Sequence, residues 1–178
     1  MAGSGIKKVT VLGTGVLGGQ IAWHSAYHGK QVVAYNRREE SLDKVRAAHE
    51  KLEQIYIDEV GASAEEIAAT RSRLTYLSDL HEAVGDADLV IESLPEIPAV
   101  KTEYYEKMAG LLPQHTIVVT NSSTFLPRDF AESTGRPEQF CALHLANLIW
   151  SVNVVEIMAN PQTTEEVLTA VTRFAIEI

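Results

Sequence analysis

The sequence predicts an α/β protein in which a doubly wound, mainly parallel sheet carries helices on both of its faces. Three observations support this prediction. Short apolar runs alternate with longer segments of helical periodicity along the chain. The first apolar run leads directly into Gly13-Thr14-Gly15-Val16-Leu17-Gly18, a glycine-rich turn ahead of a helix. Polar residues follow several of the later apolar runs, where the carboxyl ends of parallel strands meet.

The first half of the chain predicts strands over 6–12, 31–35 and 74–77, because each of these runs is apolar and rich in β-branched or aromatic residues. A helix over 16–28 follows the glycine-rich turn, and Gly29 is suited to close it. A long helical region over 39–60 is expected to break at Gly61-Ala62-Ser63. A shorter helix over 64–70 completes this half.

The second half predicts strands over 87–92, 116–120, 140–145 and 153–158. Between them, a helix over 98–111 begins with Pro98, which suits the first turn of a helix. A short helix is expected over 126–132 and a last one over 163–176, where Thr163-Thr164-Glu165-Glu166 is an N-terminal signal. The order of strands and helices is typical of a doubly wound sheet, and residues 1–178 are taken as one such domain.

Each glycine of the turn has a physical role if the turn binds a dinucleotide. Gly13 permits the sharp strand-to-helix turn, Gly15 lets the backbone approach a pyrophosphate, and Gly18 lets the helix pack closely on the strand. The helix N-terminus at Val16 and Leu17 then offers unpaired N–H groups and a positive dipole end. The motif therefore predicts a Rossmann-type cofactor site. The alternative is an ordinary glycine-rich turn with no ligand.

Composition limits the function classes. The net charge of −9 argues against a nucleic-acid partner, which requires clustered Lys and Arg. No stretch approaches the ~20 apolar residues of a membrane span, and the N-terminus resembles no signal peptide. Cys141 is the only cysteine, which excludes an intrachain disulfide and a cysteine-based zinc site. A cytoplasmic protein with a small-molecule substrate is the expectation.

A second set of polar residues follows the later strands. Glu92 and Glu96 are followed by Lys101, and Asn121-Ser122-Ser123 comes after the fifth strand. The sixth strand carries His144, and Glu156 lies twelve residues later on the seventh. A carboxylate that contacts an imidazole fixes its tautomer and raises its basicity, which suits a general base for an alcohol. The alternative for His144 is a buried histidine whose hydrogen bonds are all made within the core. The alternative for the serines is that they cap the helix predicted at Leu126. The alternative for Glu96 and Lys101 is a solvent-exposed ion pair.

The order and separation of these motifs resemble the 3-hydroxyacyl-CoA dehydrogenase family. The matching pieces are Gly13–Gly18, Ile91-Glu92…Glu96…Lys101, Asn121-Ser122-Ser123 and His144…Glu156. The resemblance covers nearly the whole chain and corresponds to the N-terminal, NAD-binding domain of that family. The segments Val11–Gly18 and Asn121–Thr124 also resemble the diketoreductases, a close branch.

The resemblance implies roles for single residues. His144 would be the catalytic base, Glu156 its orienting partner, and Ser123 a hydrogen-bond donor to the substrate oxygen. Asn121 would lie near the nicotinamide, and Glu96 and Lys101 would contribute to the cofactor pocket. Asn147, just after the sixth strand, is a candidate substrate contact. The resemblance also implies a helical, homodimer-forming domain beyond residue 178 that supplies a further substrate-orienting asparagine.

Two departures from the family pattern leave the ligands open. The acidic residue expected at the end of the second strand is Asn36, which is followed by Arg37-Arg38. NAD is the family default, but an amide and two arginines would tolerate the 2′-phosphate of NADP. The alternative is that both arginines are solvated and Asn36 still bonds the ribose.

The helical segment over 50–59 is acidic in balance, which disfavours the phosphates of CoA. The resemblance nevertheless implies hydride transfer between a nicotinamide cofactor and a 3-hydroxyacyl-CoA. A reductase of non-CoA 3-oxo or diketo esters is the first alternative, and a non-catalytic nucleotide sensor is the second.

Overall fold

The computed structural model describes residues 3–178 and contains a single seven-stranded sheet in that part of the chain. The strands lie side by side in the order β3-β2-β1-β4-β5-β6-β7. Their bounds are β1 Lys8–Leu12, β2 Gln31–Tyr35, β3 Leu74–Leu77, β4 Leu89–Glu92, β5 Ile117–Thr120, β6 Phe140–Leu145 and β7 Val155–Ala159. All neighbouring pairs are parallel except β6 and β7, which are antiparallel. The fold class is therefore Rossmann-type α/β, as the sequence predicts.

Six α-helices are present in the described residues. Their bounds are α1 Val16–Tyr27, α2 Glu39–Ile55, α3 Ala64–Ser72, α4 Leu80–Val84, α5 Pro98–Ala109 and α6 Glu165–Glu177. A π-helical turn over Tyr56–Val60 extends α2 up to Gly61, which has the positive φ that a glycine tolerates. Ser63 and Glu66 form a capping box at the start of α3. No helix among residues 3–178 has the length and apolar composition needed to cross a bilayer.

Apolar cores cover both faces of the sheet. One core packs α1 and α6 against the sheet and includes Ile21, Val171 and Phe174. The other packs α4 and α5 against the opposite face and includes Tyr105 and Met108. The central strands are buried on both sides, which explains why their sequences are continuously apolar rather than alternating. The two cores therefore fix the sheet edge at which the polar residues gather.

The strand order reverses at β1, whose neighbours are β2 on one side and β4 on the other. The chain leaves β1 for α1 and β2 on one side, and β4 and β5 continue on the other. In an open α/β sheet, ligands bind at this switch point, outside the carboxyl ends of the strands. The glycine-rich turn after β1 lies at that position.

Three local predictions were wrong. The helix predicted over 126–132 is instead two separate 3₁₀ turns, Pro127–Asp129 and Glu132–Thr134, because the backbone leaves helical geometry at Phe130, with φ −122° and ψ −7°. The short helix α4, capped by Asp79, was not predicted. Strand β7 runs from Val155 to Ala159 rather than over 153–158, because the residues before it belong to a loop.

Candidate active site

The glycine-rich turn has the geometry that a dinucleotide requires. Gly13 has φ +89°, and a Cβ there would lie 2.5 Å from the backbone oxygen of Ser93. A Cβ on Gly18 would lie 1.9 Å from the carbonyl oxygen of Gly13, so the start of α1 packs directly on the turn. A Cβ on Gly15 would meet nothing within 4 Å. The space beside Gly15 is thus open, which fits close approach of a pyrophosphate.

A cavity of about 610 Å³ follows this turn. Gly13, Gly15, Val16, Leu17 and Gly18 line one side of it. Residues at the end of β2, at the start of α2, after β4 and on α5 line the rest: Tyr35, Asn36, Arg37, Arg38, Ser41, Ser93, Leu94, Pro95, Ile97, Val100, Glu103 and Tyr104. The cavity therefore joins the turn to the end of β2, where a dinucleotide places its adenosine ribose.

The residues at the end of β2 face this cavity. The Asn36 Nδ2 group donates to the Thr14 hydroxyl oxygen at 3.2 Å, so the amide is held against the glycine-rich turn. Arg37 and Arg38 are exposed, and neither guanidinium forms an ion pair within residues 3–178. Glu103 of α5 lines the same cavity and is paired with Lys107 at 2.5 Å. The local charge therefore combines two free cations with one paired carboxylate.

His144 and Glu156 are directly opposite each other in the antiparallel β6–β7 pair. The His144 Nδ1 atom lies 3.0 Å from Glu156 Oε2, which confirms the predicted contact. Because a carboxylate only accepts, the neutral imidazole in this contact carries its proton on Nδ1 and has its lone pair on Nε2. The His144 side chain is 28% exposed, whereas that of Glu156 is 74% exposed. The pair is therefore an accessible, tautomer-fixed imidazole at the carboxyl end of β6.

The segment after β5 lies beside this histidine. Asn121 is buried, and its Oδ1 atom accepts a hydrogen bond of 2.9 Å from the backbone N–H of Leu145, the residue after His144. This bond fixes the amide so that Nδ2 points away from Leu145. Ser123 is exposed, and its hydroxyl makes no hydrogen bond to residues 3–178. The serine hydroxyl is thus free to bind a ligand next to the His144 strand end.

Lys101 is buried rather than solvated. Its side chain is 1% exposed, and its ammonium is enclosed by the carboxylates of Glu92, at 2.7 Å, and Glu96, at 3.0 Å. The alternative of a solvated Glu96–Lys101 pair is therefore wrong. Neither residue lines the cavity beside the glycine-rich turn, and their contribution to a cofactor site stays a prediction. Glu96 instead reaches the serine segment, where its Oε1 atom accepts from Ser122 Oγ at 2.6 Å. The Ser122 hydroxyl thus donates to Glu96 and accepts from the N–H groups of Thr124 and Phe125 in its own loop. It does not cap a helix at Leu126.

Asn147 lies in the loop between β6 and β7 and is exposed. The next residue, Leu148, has φ +58°, a conformation that costs a branched or bulky residue about 1–2 kcal/mol. The Leu148 N–H donates to the Gln20 side chain on α1 at 2.9 Å. Trp150 of the same loop donates from its indole Nε1 to Glu59 at 2.8 Å. The loop beside His144 is therefore anchored to two helices.

The family model of the 3-hydroxyacyl-CoA dehydrogenase NAD binding domain matches residues 8–178. The chain belongs to this family. Within it, the chain is 30% identical to the fatty acid oxidation complex subunit alpha of Idiomarina loihiensis, over 97% of this chain and 24% of the relative. It thus spans about a quarter of the length of the curated relatives that it matches.

Two solved structures have the same fold. One is a diketoreductase described for dual catalysis of dicarbonyl compounds, with TM-score 0.95 and 44% identity, covering 99% of this chain and 62% of that chain. The other is the 3-hydroxybutyryl-CoA dehydrogenase of Escherichia coli K12, with TM-score 0.91 and 28% identity, covering 97% of this chain and 36% of that chain. This member of the family therefore resembles proteins named for two substrate classes.

Sequence reasoning missed part of the site. Tyr104 and Glu103 line the cavity because α5 packs back over the end of β4, and no local signal in the sequence indicates this. Gln20 sits in the middle of α1, and only the fold brings it to the loop after β6. The burial of Glu92 could have been predicted from the sequence. Its carboxylate directly follows the apolar residues Leu-Val-Ile of a central strand, all of which are buried.

Proposed function

We propose that this domain belongs to an NAD-dependent oxidoreductase that interconverts a 3-hydroxyl and a 3-oxo group on an acyl-CoA substrate. The observation that carries the proposal is the His144 Nδ1 to Glu156 Oε2 contact of 3.0 Å. It lies at the same sheet edge as the glycine-rich turn and its cavity. A non-catalytic nucleotide sensor has no need for a base held in one tautomer, so the contact supports an enzyme.

The chain's own residues account for the proton chemistry. With Nδ1–H donated to Glu156, the His144 Nε2 lone pair accepts the proton of the substrate 3-hydroxyl. Glu156 then stabilises the imidazolium that forms. The free hydroxyl of Ser123 donates to the substrate oxygen as it becomes a carbonyl. In the reverse direction, His144 returns the proton to that oxygen. NAD, when bound, supplies the hydride acceptor.

The cofactor cradle fits a dinucleotide. The open space beside Gly15 and the N-terminus of α1 accommodate the pyrophosphate. The Asn36 Oδ1 atom accepts one long bond, of 3.4 Å, from the Arg38 N–H and keeps a second lone pair for the ribose; being neutral, Asn36 does not repel a 2′-phosphate. Arg37 and Arg38 provide two cations at this end of the cavity, which favours acceptance of NADP beside NAD. The negative charge of Glu103 opposes this preference only in part, because Lys107 pairs with it.

A second substrate class is favoured by a separate observation. The surface formed by the end of α2 and the π-helical turn exposes Glu50, Asp58 and Glu59, which are unfavourable neighbours for CoA phosphates. The similarity to a diketoreductase points the same way. A reductase of small 3-oxo or diketo esters is therefore the second candidate. Asn147, exposed in the loop after His144, stays a candidate contact for either substrate.

The deciding experiment uses the full-length protein that contains this chain. Oxidation of NADH and NADPH is followed with acetoacetyl-CoA and with ethyl acetoacetate, at matched concentrations. Faster turnover of acetoacetyl-CoA supports the primary proposal, and faster turnover of the free ester supports the second candidate. Nucleotide binding without turnover of either substrate would support the sensor instead. Size-exclusion chromatography with light scattering tests the predicted homodimer, and subcellular fractionation tests the predicted cytoplasmic location.

A further inference from the structure

A buried carboxylate lies where β4 ends. Glu92 is fully buried and accepts four hydrogen bonds. Its Oε1 atom accepts from the Leu94 N–H and from Lys101 Nζ, each at 2.7 Å. Its Oε2 atom accepts from the Tyr105 hydroxyl at 2.7 Å and from the Thr120 hydroxyl at 2.8 Å. Residues of β4, α5 and β5 therefore converge on one side chain, and every lone pair of the carboxylate has a partner.

Lys101 connects Glu92 to a second carboxylate. Its Nζ atom lies 2.7 Å from Glu92 Oε1 and 3.0 Å from Glu96 Oε2. Glu96 is 40% exposed, and its Oε1 atom accepts from Ser122 Oγ at 2.6 Å and from the Ser123 N–H at 3.1 Å. Partial burial raises the pKa of Glu96, but the hydrogen bonds from Ser122 and Lys101 outweigh it and leave this pKa below its ordinary value. Glu96 is therefore an anion that holds the serine segment.

A gain in folding stability does not by itself explain why two carboxylates and one ammonium are placed together here. Two carboxylates share one ammonium in the interior, and buried ion pairs are often no more stable than apolar groups of the same volume. The arrangement does fix geometry, because each charged group is held by several partners in defined directions. The feature that depends on this geometry is the segment Asn121–Ser123.

We propose that Lys101 and Glu92 are positioning residues that act through Glu96 to hold Ser123 in place for the proposed reaction. The inference rests on the proposed function in one respect, since it assigns the Ser123 hydroxyl to the substrate oxygen. Ser123 is anchored through its N–H by Glu96, while Asn121 is anchored to Leu145 beside His144. The hydroxyl and the imidazole thus share one rigid frame, and Lys101 provides the cation that keeps Glu96 turned toward the serines.

The first measurement uses the full-length protein with Lys101→Met, Ser123→Ala and the double variant. We expect Lys101→Met to lower kcat by about tenfold or more, because a misplacement near 1 Å can cost on the order of 10²-fold in rate. The Kd for NADH should change less than about threefold, because the glycine-rich turn is untouched. In the Ser123→Ala background, Lys101→Met should lower kcat little further, since its target hydroxyl is already absent.

The second measurement is hydrogen–deuterium exchange of the peptide that spans 121–125. The Ser123 N–H loses its acceptor when Glu96 is released, so exchange should accelerate in Lys101→Met. Glu106→Gln is the control, because Glu106 is on the same helix but is exposed and does not line the cofactor cavity. This control should leave both kcat and exchange at the parent values.

Lys101→Met leaves the Glu92 carboxylate buried without its cation. If this variant does not fold, Glu92→Gln/Lys101→Met, which removes both charges, takes its place in both measurements. Additive losses of kcat with Ser123→Ala, or unchanged exchange at 121–125, would overturn the proposal. If the parent protein turns over neither substrate, the proposed function fails by itself, and the exchange result still decides whether Lys101 holds the segment.

Discussion

The two glycines Gly15 and Gly18 make opposite predictions although they are three residues apart in one motif. A Cβ at Gly18 would lie 1.9 Å from the carbonyl oxygen of Gly13, which is backbone and cannot rotate away. Gly18→Ala therefore forces the start of α1 off the turn. A Cβ at Gly15 enters open space, and the backbone there, with φ −67° and ψ −166°, suits any residue. Gly15→Val thus leaves the fold in place but fills the pyrophosphate space.

The magnitudes separate the two cases. Because the clash is with backbone, we take the upper end of the usual overpacking cost, about 3 kcal/mol; the helix propensity of Ala returns about 1 kcal/mol, so Gly18→Ala should lose about 2 kcal/mol. For a domain of this size that loss lowers Tm by about 4–8 °C. Gly15→Val should lower Tm by at most about half as much, because only a helix N-cap preference is lost. Loss of two phosphate hydrogen bonds at about 1.5–3 kcal/mol each should weaken NADH binding by about 10²–10⁴-fold.

The assay combines thermal unfolding with calorimetric titration of NADH. Gly110→Ala is the control, because Gly110 has an ordinary φ of −84° and a Cβ there would meet nothing within 4 Å. It should match the parent in both measurements. A Gly15→Val variant with the parent's NADH affinity would refute the assignment of the pyrophosphate site. A Gly18→Ala variant as stable as Gly110→Ala would refute the packing argument.

Three further predictions follow from the site and from the core. His144→Gln should lower kcat by about 10²–10⁴-fold with less than a threefold change in the Kd for NADH, and Glu156→Gln should lower kcat by a smaller factor. If His144→Gln is as active as the parent in steady-state assays, His144 is not the general base. Arg37→Ala should weaken NADPH binding more than NADH binding, and this difference should shrink in high salt. Equal losses of affinity for the two cofactors in fluorescence titrations would show that Arg37 does not bind the 2′-phosphate. Burial lowers the pKa of His24 and of His49 to about 4, so the unfolded chain takes up protons below about pH 6.5 that the folded chain does not. Stability is therefore full above pH 6.5 and should fall toward pH 4 by up to about 3 kcal/mol for each histidine; urea unfolding at pH 7 and 4.5 should show a smaller fall in His49→Gln, and an equal fall would exclude His49 as a cause.

The sequence determined the features that depend on neighbouring residues and on side-chain chemistry. The glycine-rich turn, the alternation of strands and helices and the break at Gly61 follow from local backbone preferences, and the structure confirms them. The contact between His144 and Glu156 was also predictable. Two residues on consecutive strands with complementary hydrogen-bonding groups meet when the strands pair, and the β6–β7 register places them opposite each other.

Only the tertiary structure decided which polar residues are buried and which surfaces meet. Lys101 reads as a surface residue of a helix, yet the packing of α5 on the sheet encloses it between Glu92 and Glu96. Tyr104 and Glu103 reach the cofactor cavity for the same reason. The physical cause is that backbone preferences act over a few residues, whereas the solvation of a charge depends on every element packed around it. Backbone preferences can therefore be predicted from the local sequence, whereas the environment of the Lys101 ammonium is defined only once the fold has formed.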